Sequence, residues 1–130
     1  MNYFIEFDPG TETIVVALSG DFDLELCRRA MNEVHAIRSS VPRAHSVWDV
    51  SALVFSTLDV ESVKRTASVR DSVAQRRADE RMATVLSDPT DRTIIHLLFA
   101  HSQVPAPNWR FFDTLDDAIA WCAAAAEESD

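Results

Sequence analysis

Short runs of β-branched and aromatic residues alternate along most of this chain with longer segments in which apolar residues recur at helical spacing. Two such runs come first, and each later run is followed by a helix-like segment, which gives the order ββαβαβαβα. A strand, a crossover helix and a second strand favour a parallel pair. The order therefore predicts an α/β fold: a mixed, mostly parallel five-stranded sheet with an N-terminal antiparallel hairpin and about four flanking helices. The predicted strands cover residues 3–7, 13–18, 46–50, 81–86 and 109–112.

The chain has the size and composition of one domain with one core. It contains 130 residues, of which 47% are apolar and 25% are charged. We expect the domain to span residues 1–126, followed by a short acidic tail at 127–130.

The turn of the predicted hairpin contains a proline followed by a glycine. Pro9 suits the second position of a type II turn, and Gly10 can supply the positive φ that the third position needs. We therefore expect a type II turn between the first two strands.

Helix starts are marked by polar caps in two places. Asp88 is a candidate N-cap followed by Pro89, and Thr114 has Asp117 three residues later, as in a capping box. The second helix is predicted from Leu58 to about Ala78. Its apolar stripe is Val60, Val63, Ala67 and Ala74, and its basic residues, expected on a solvated and salt-bridged face, are Lys64, Arg65, Arg70, Arg76 and Arg77.

The net charge disfavours some classes of binding partner, and the cysteines indicate the cellular compartment. Twenty-one acidic and twelve basic residues give a net charge of −9, which repels nucleic acid and anionic membranes. No apolar run is long enough to span a bilayer. Cys27 and Cys122 lie in apolar helical patterns, where a free cysteine is typically a small buried side chain. We expect a cytoplasmic protein.

Recognisable catalytic and metal-binding signatures are missing from the sequence. With Gly10 and Gly20 as its two glycines, the chain has no phosphate-binding loop. His96 and His101 are five residues apart, which does not align two imidazoles on one helical face. We expect no metal, no cofactor and no enzymatic activity. An enzyme assembled from dispersed groups such as His45, Asp49 and Ser87 is an open alternative.

Several phrases of the chain resemble the STAS domain family, especially its anti-sigma-factor-antagonist-like branch and the SpoIIAA-like proteins. They are Ile5–Asp8, Val15–Asp21, Val47–Ser51 and Phe112–Trp121. In that family the loop after the third strand begins with Asp and ends at a serine that a partner kinase phosphorylates. Asp49 matches the beginning, whereas Leu58 stands at the position of the phosphoacceptor.

The resemblance implies a regulatory module that binds a protein partner through this loop and the helix after it. The implied interaction loop consists of Asp49, Ser51, Phe55, Ser56, Thr57 and Asp59. Ser56 and Thr57 are possible phosphoacceptors, and the alternative is that they cap the second helix. Asp49 can equally stabilise the loop by accepting hydrogen bonds from nearby N–H groups.

Three further alternatives concern apolar surface. Of Leu53, Val54 and Phe55, we expect two to pack into the core beneath the second helix, and the alternative is that they bind in a groove of a partner. Leu97 and Phe99 can form a homodimer contact or be covered by residues 104–107. Some SpoIIAA-like proteins resemble lipid carriers, so the alternative function is to hold an apolar small molecule in a cavity between the helices and the sheet.

Overall fold

A computed structural model describes residues 1–73 and 79–128, with side chains to residue 125. Its elements follow the predicted order ββαβαβαβα. The strands are β1 (Asn2–Asp8), β2 (Thr13–Asp21), β3 (His45–Val54), β4 (Arg81–Val85) and β5 (Asn108–Phe112). The helices are α1 (Leu24–Ser40), α2 (Val60–Val73), α3 (Pro89–His101) and α4 (Leu115–Glu128). Residues 74–78, predicted to be the end of the second helix, lie outside the described residues.

The five strands form one sheet in the spatial order β1-β2-β3-β4-β5. β1 is antiparallel to β2, with Tyr3 opposite Leu18, and the other neighbours are parallel. The predicted mixed sheet with an N-terminal hairpin is confirmed.

The hairpin turn differs from the predicted type II turn. In the described residues, positive φ occurs at Glu12 (51°) and Gly20 (82°), and Gly10 does not have it. The Asp8 carboxylate holds the loop by accepting hydrogen bonds from the Gly10 N–H at 2.9 Å and the Thr11 hydroxyl at 3.1 Å. The chain therefore reverses through an aspartate-stabilised loop whose left-handed residue is Glu12, so Pro9 and Gly10 do not act as predicted.

The predicted caps at two helix starts are confirmed. Asp88 Oδ1 accepts hydrogen bonds from the N–H groups of Thr90 and Asp91 at the start of α3. The Thr114 hydroxyl accepts one from the Asp117 N–H at the start of α4. These bonds satisfy N–H groups that have no partner within the first turn of a helix.

The sheet has an apolar layer on each face because side chains alternate along every strand. On one face, Ile14 and Val16 of β2 pack in a cluster that includes Val34 of α1, with α2 and α3 on the same side. On the other face, Val47 of β3 packs with α4. The sheet therefore lies between a layer of three helices and a layer of one.

The helices on the two faces stand at different distances from the sheet. Ala118 and Cys122 of α4 are fully buried against the strands, and small side chains allow this close approach. No Cα atom of α2 or α3 lies within 8 Å of a strand Cα atom. These helices contact each other, and larger side chains separate them from the sheet.

Both cysteines are free and buried, as predicted. Burial raises the pKa of the Cys27 thiol to about 12 and is the main cause of a similar pKa, about 12, at Cys122. Both side chains therefore stay protonated and act as small core residues.

Candidate functional site

The candidate site begins in the second half of β3, which is longer than predicted. β3 pairs with β4 up to Asp49, opposite Val85, and pairs with β2 up to Val54. Asp49 and Ser51 therefore lie within the strand and not in the loop after it, which corrects the predicted strand end at residue 50. Beyond Asp49, the ladder on the β4 side has ended.

A bulge in β3 decides which side chains face the core. Val50 and Ser51 together stand opposite Leu18 of β2, because the register shifts between Ala17 and Ser19. One extra residue reverses the alternation of side chains beyond it. Residues 48 and 50 face the helices α1–α3 before the bulge, and residues 53 and 55 do so after it.

Asp49 stabilises the bulged backbone locally. Its Oδ1 accepts hydrogen bonds from the Ser51 N–H at 3.1 Å and the Ser51 hydroxyl at 2.6 Å. The alternative in which Asp49 accepts hydrogen bonds from nearby N–H groups is therefore confirmed.

Of the three apolar residues after the bulge, two are in the core. Leu53 and Phe55 are buried, at 9% and 5% exposure, whereas Val54 is 39% exposed. This confirms the expectation that two of the three pack inward. It also corrects the inclusion of Phe55 in a contact surface, since its side chain packs inside the domain.

A tight turn joins β3 to α2, and Asp59 caps the helix. The Leu58 N–H donates to the Phe55 carbonyl at 3.0 Å, and Asp59 Oδ1 accepts from the Ser62 N–H at 2.7 Å. The bonds from Ser62 lower the pKa of Asp59. The alternative in which Ser56 or Thr57 caps this helix is wrong, because Asp59 holds that position and both hydroxyl residues are exposed in the turn.

The first residue of α2 adds a second exposed apolar side chain. The sequence pattern places Val60 on the buried stripe, but this first residue of α2 is 60% exposed. Val54 and Val60 thus border the turn that carries Ser56 and Thr57. We call the exposed residues Ser51, Val54, Ser56, Thr57, Asp59 and Val60 the β3–α2 surface.

The basic residues of α2 do not share one environment. Arg65 is exposed and its Nε lies 3.5 Å from a carboxylate oxygen of Glu61, as a solvated salt-bridged face predicts. Arg70 is 3% exposed, which contradicts its predicted place on that face. The spacing held a signal for this, since Arg70 follows Val63 by seven residues and Ala67 by three, on the same side of the helix. Arg76 and Arg77 lie outside the described residues.

An apolar cavity of about 110 Å³ lies between the sheet and the helices α2 and α3. Val50, Phe55, Ile95 and Leu98 are among its lining residues, and Arg70 borders it. No residue of α3 is fully buried, since the helix stands over this space. Residue spacing does not predict the size of such a cavity, because the size depends on how far two helices stand from the sheet.

The two residues of the predicted homodimer contact on α3 have different surroundings. Leu97 is exposed, whereas the Phe99 ring stacks on Trp109, with 4.1 Å between ring centroids. Phe99 is thus covered within the chain, by β5. The homodimer stays a prediction.

The residues that the structure describes form neither a metal site nor a membrane-spanning helix. Across residues 1–73 and 79–128, no three His, Cys, Asp or Glu side chains are placed to hold a metal ion. Within the helices that the structure describes, none has the length and apolar content needed to cross a membrane.

The fold is similar to that of the anti-sigma factor antagonist SpoIIAA in its unphosphorylated form. The TM-score is 0.53 and the sequence identity is 19%, over 92% of this chain and 96% of that chain. A scan of protein-family models and a search of curated proteins found no match to this sequence. The similarity confirms the predicted STAS-like architecture.

Proposed function

We propose that this protein is a non-enzymatic regulatory module of the cytoplasm that binds another protein through the β3–α2 surface. The observation that carries the proposal is the pair of exposed valines, Val54 and Val60, on either side of a turn with two exposed hydroxyl residues. Isolated apolar residues on a surface are ordinary, but two that border one polar turn form a small contact centre with a polar rim.

The charges around this centre indicate what kind of partner fits. Asp59 and Glu61 flank Val60 in the chain, and the whole protein carries a net charge of −9. A partner with an apolar contact bordered by lysine or arginine is complementary to this arrangement. The similarity in fold to an anti-sigma factor antagonist supports a partner of the anti-sigma factor kind.

Ser56 and Thr57 are the proposed phosphoacceptors. The Asp59 carboxylate already caps α2 by accepting from the Ser62 N–H, so a phosphate on either residue adds negative charge next to an aspartate. A phosphate between Val54 and Val60 also loses hydration when a partner covers the valines. Phosphorylation is therefore expected to release the partner.

The test is quantitative capture from extracts of the host, with matched variants. Val60→Glu places a charge in the contact centre at a helix position that tolerates an acidic residue. Phe4→Glu is the control, because Phe4 on β1 has the same 60% exposure as Val60. We expect Val60→Glu to lose the main captured protein and Phe4→Glu to retain it, with thermal midpoints within a few degrees of wild type.

The phosphorylation step has its own comparison. Thr57→Glu should reduce capture of the same protein, and Thr57→Ala should retain it. Equal capture by wild type, Val60→Glu and Phe4→Glu would remove the β3–α2 surface from the proposal. Loss by Thr57→Ala as strong as by Thr57→Glu would remove the charge mechanism alone.

A further inference from the structure

The cavity beneath α2 and α3 is larger than ordinary packing defects. Interiors are packed as densely as organic crystals, and one water molecule needs roughly 10–15 Å³ by this kind of measure. An engineered apolar cavity of about 150 Å³ binds benzene. A space of about 110 Å³ therefore accommodates an apolar group approaching that size, and because the space is partly open to solvent, the rest of a longer chain can extend outward.

The wall of this cavity contains buried hydrogen-bond donors without acceptors. Among the residues that the structure describes, Nε and Nη2 of Arg70, Nη2 of Arg38 and Nε1 of Trp48 have no hydrogen-bond partner. All three side chains line the cavity. Each of these nitrogens can donate and none can accept, so a molecule that satisfies them must supply acceptors. A buried donor without a partner is unfavourable, which makes such a molecule stabilising.

Arg70 is held at one end of its guanidinium group and has no hydrogen-bond acceptor at the other. Its Nη1 donates to the Ser102 hydroxyl and, at 2.8 Å, to the Val104 carbonyl. The Phe99 ring lies 4.7 Å from the guanidinium carbon. These contacts fix the group in place, while Nε and Nη2 form the edge that binds the two oxygens of a carboxylate.

The nearby protein carboxylates have other partners. Asp71 lies 3.7 Å from Arg70 Nη1, and it accepts hydrogen bonds from the Ser102 hydroxyl and from the N–H groups of Gln103 and Val104. Glu80 Oε1 lies 2.8 Å from Arg38 Nε in a buried ion pair. Each arginine thus has a carboxylate beside it, but Asp71 lies against Nη1 of Arg70, so the Nε and Nη2 edge of Arg70 is left without an acceptor.

We propose that this cavity binds a small amphipathic carboxylate. Its aliphatic chain or ring lies among Val50, Ile95 and Leu98, and its carboxylate accepts hydrogen bonds from the Nε and Nη2 edge of Arg70. Trp48 Nε1 is a further donor in the same wall. This is a ligand site on the inner side of α2, separate from protein binding at the β3–α2 surface.

The first experiment compares octanoate with octanol on the full-length wild-type protein. Tryptophan fluorescence is a suitable signal because Trp48 lines the cavity, and native mass spectrometry gives the stoichiometry. We expect one octanoate per chain and an affinity at least about tenfold higher than for octanol, since charge-assisted hydrogen bonds are the stronger ones. Equal affinities would overturn the carboxylate assignment, and no binding of either molecule would overturn the site.

Variants then separate the head-group contact from the cavity. Arg70→Met keeps a long unbranched side chain but removes the guanidinium group, so it should weaken octanoate binding at least about tenfold while octanol binding stays unchanged. Arg65→Met, on the exposed side of the same helix, should change neither. Because Arg70 also holds the segment at Ser102 and Val104, Ile95→Phe serves as a second variant, and it should reduce binding of both molecules by filling the cavity. Full octanoate affinity in a folded Arg70→Met or Ile95→Phe protein would contradict the proposal.

Discussion

Replacing Phe55 with alanine tests whether the bulge in β3 turns this side chain into the core. Phe55 is 5% exposed and packs in the cluster that includes Leu53 and Leu86. Truncating a buried phenylalanine typically costs about 3–5 kcal/mol. Phe55 also borders the cavity, so part of its surface already lacks close neighbours. We therefore expect a loss near the lower end, about 3 kcal/mol.

The neighbouring residue provides the matched comparison. Val54 is 39% exposed, so Val54→Ala removes less buried apolar surface and should cost about 0.5–1 kcal/mol. For a chain of this length, 1 kcal/mol corresponds to roughly 4 °C in the thermal midpoint. Phe55→Ala should therefore lower the midpoint by about 12 °C and Val54→Ala by less than about 4 °C.

Urea unfolding followed by far-ultraviolet circular dichroism gives both free energies, and equal m-values would show that the unfolded states are comparable. A loss below about 1 kcal/mol for Phe55→Ala would refute the inward placement of Phe55. A loss for Val54→Ala as large as that for Phe55→Ala would refute the alternation after the bulge.

Three further predictions concern a cap, a carboxylate and the thiols. Asp88→Ala should lower the free energy of unfolding by about 1 kcal/mol in urea titrations, because it removes the N-cap of α3; no change would contradict the cap. Although partial desolvation opposes it, hydrogen bonds from Ser102, Gln103 and Val104 lower the pKa of Asp71 below its ordinary 3.8. Its contribution to stability is thus complete above about pH 4 and is lost as the pH falls through the lower folded-state pKa. Asp71→Asn should therefore make the free energy of unfolding depend less on pH below about pH 4. The same pH dependence in Asp71→Asn and wild type would contradict this. Since burial raises the pKa of Cys27 and Cys122 to about 12, thiol reagents at pH 8 should label the native protein far more slowly than the urea-unfolded protein, and comparable rates would contradict their burial.

The fold could be predicted because its signals are local and agree with one another. The alternation of strand runs and helix stripes gave the element order, and the caps at Asp88 and Thr114 marked two helix starts correctly. Free, buried cysteines followed from apolar helical patterns. In each case the residues that decide the structure are close together in the chain.

The errors have tertiary causes or depend on a single backbone choice. The β3 bulge depends on pairing with β2, and it moved the strand end and turned Phe55 inward. The pattern Val50, Leu53, Phe55 was compatible with a bulge, but nothing local required one. The hairpin turn placed its left-handed residue at Glu12 because the Asp8 side chain stabilised a different loop.

In the candidate site, too, local features could be predicted from the sequence and tertiary ones could not. The loop was located from the sequence, yet its helix cap is Asp59, and its exposed apolar residues are Val54 and Val60. Exposure at the first residue of a helix depends on how the helix approaches the domain. The burial of Arg70 beside a cavity likewise depends on the contacts of α2 with α3 and with the segment after it.

Hydrogen exchange of the protein with and without its captured partner is the most direct test of binding through the β3–α2 surface. The amide groups of the turn and of the first turn of α2, residues 55–63, should exchange more slowly in the complex. Amides of β1 near Phe4, whose side chain has the same exposure as Val60, should be unchanged. Slower exchange confined to β1 or α3, with residues 55–63 unchanged, would contradict the proposal.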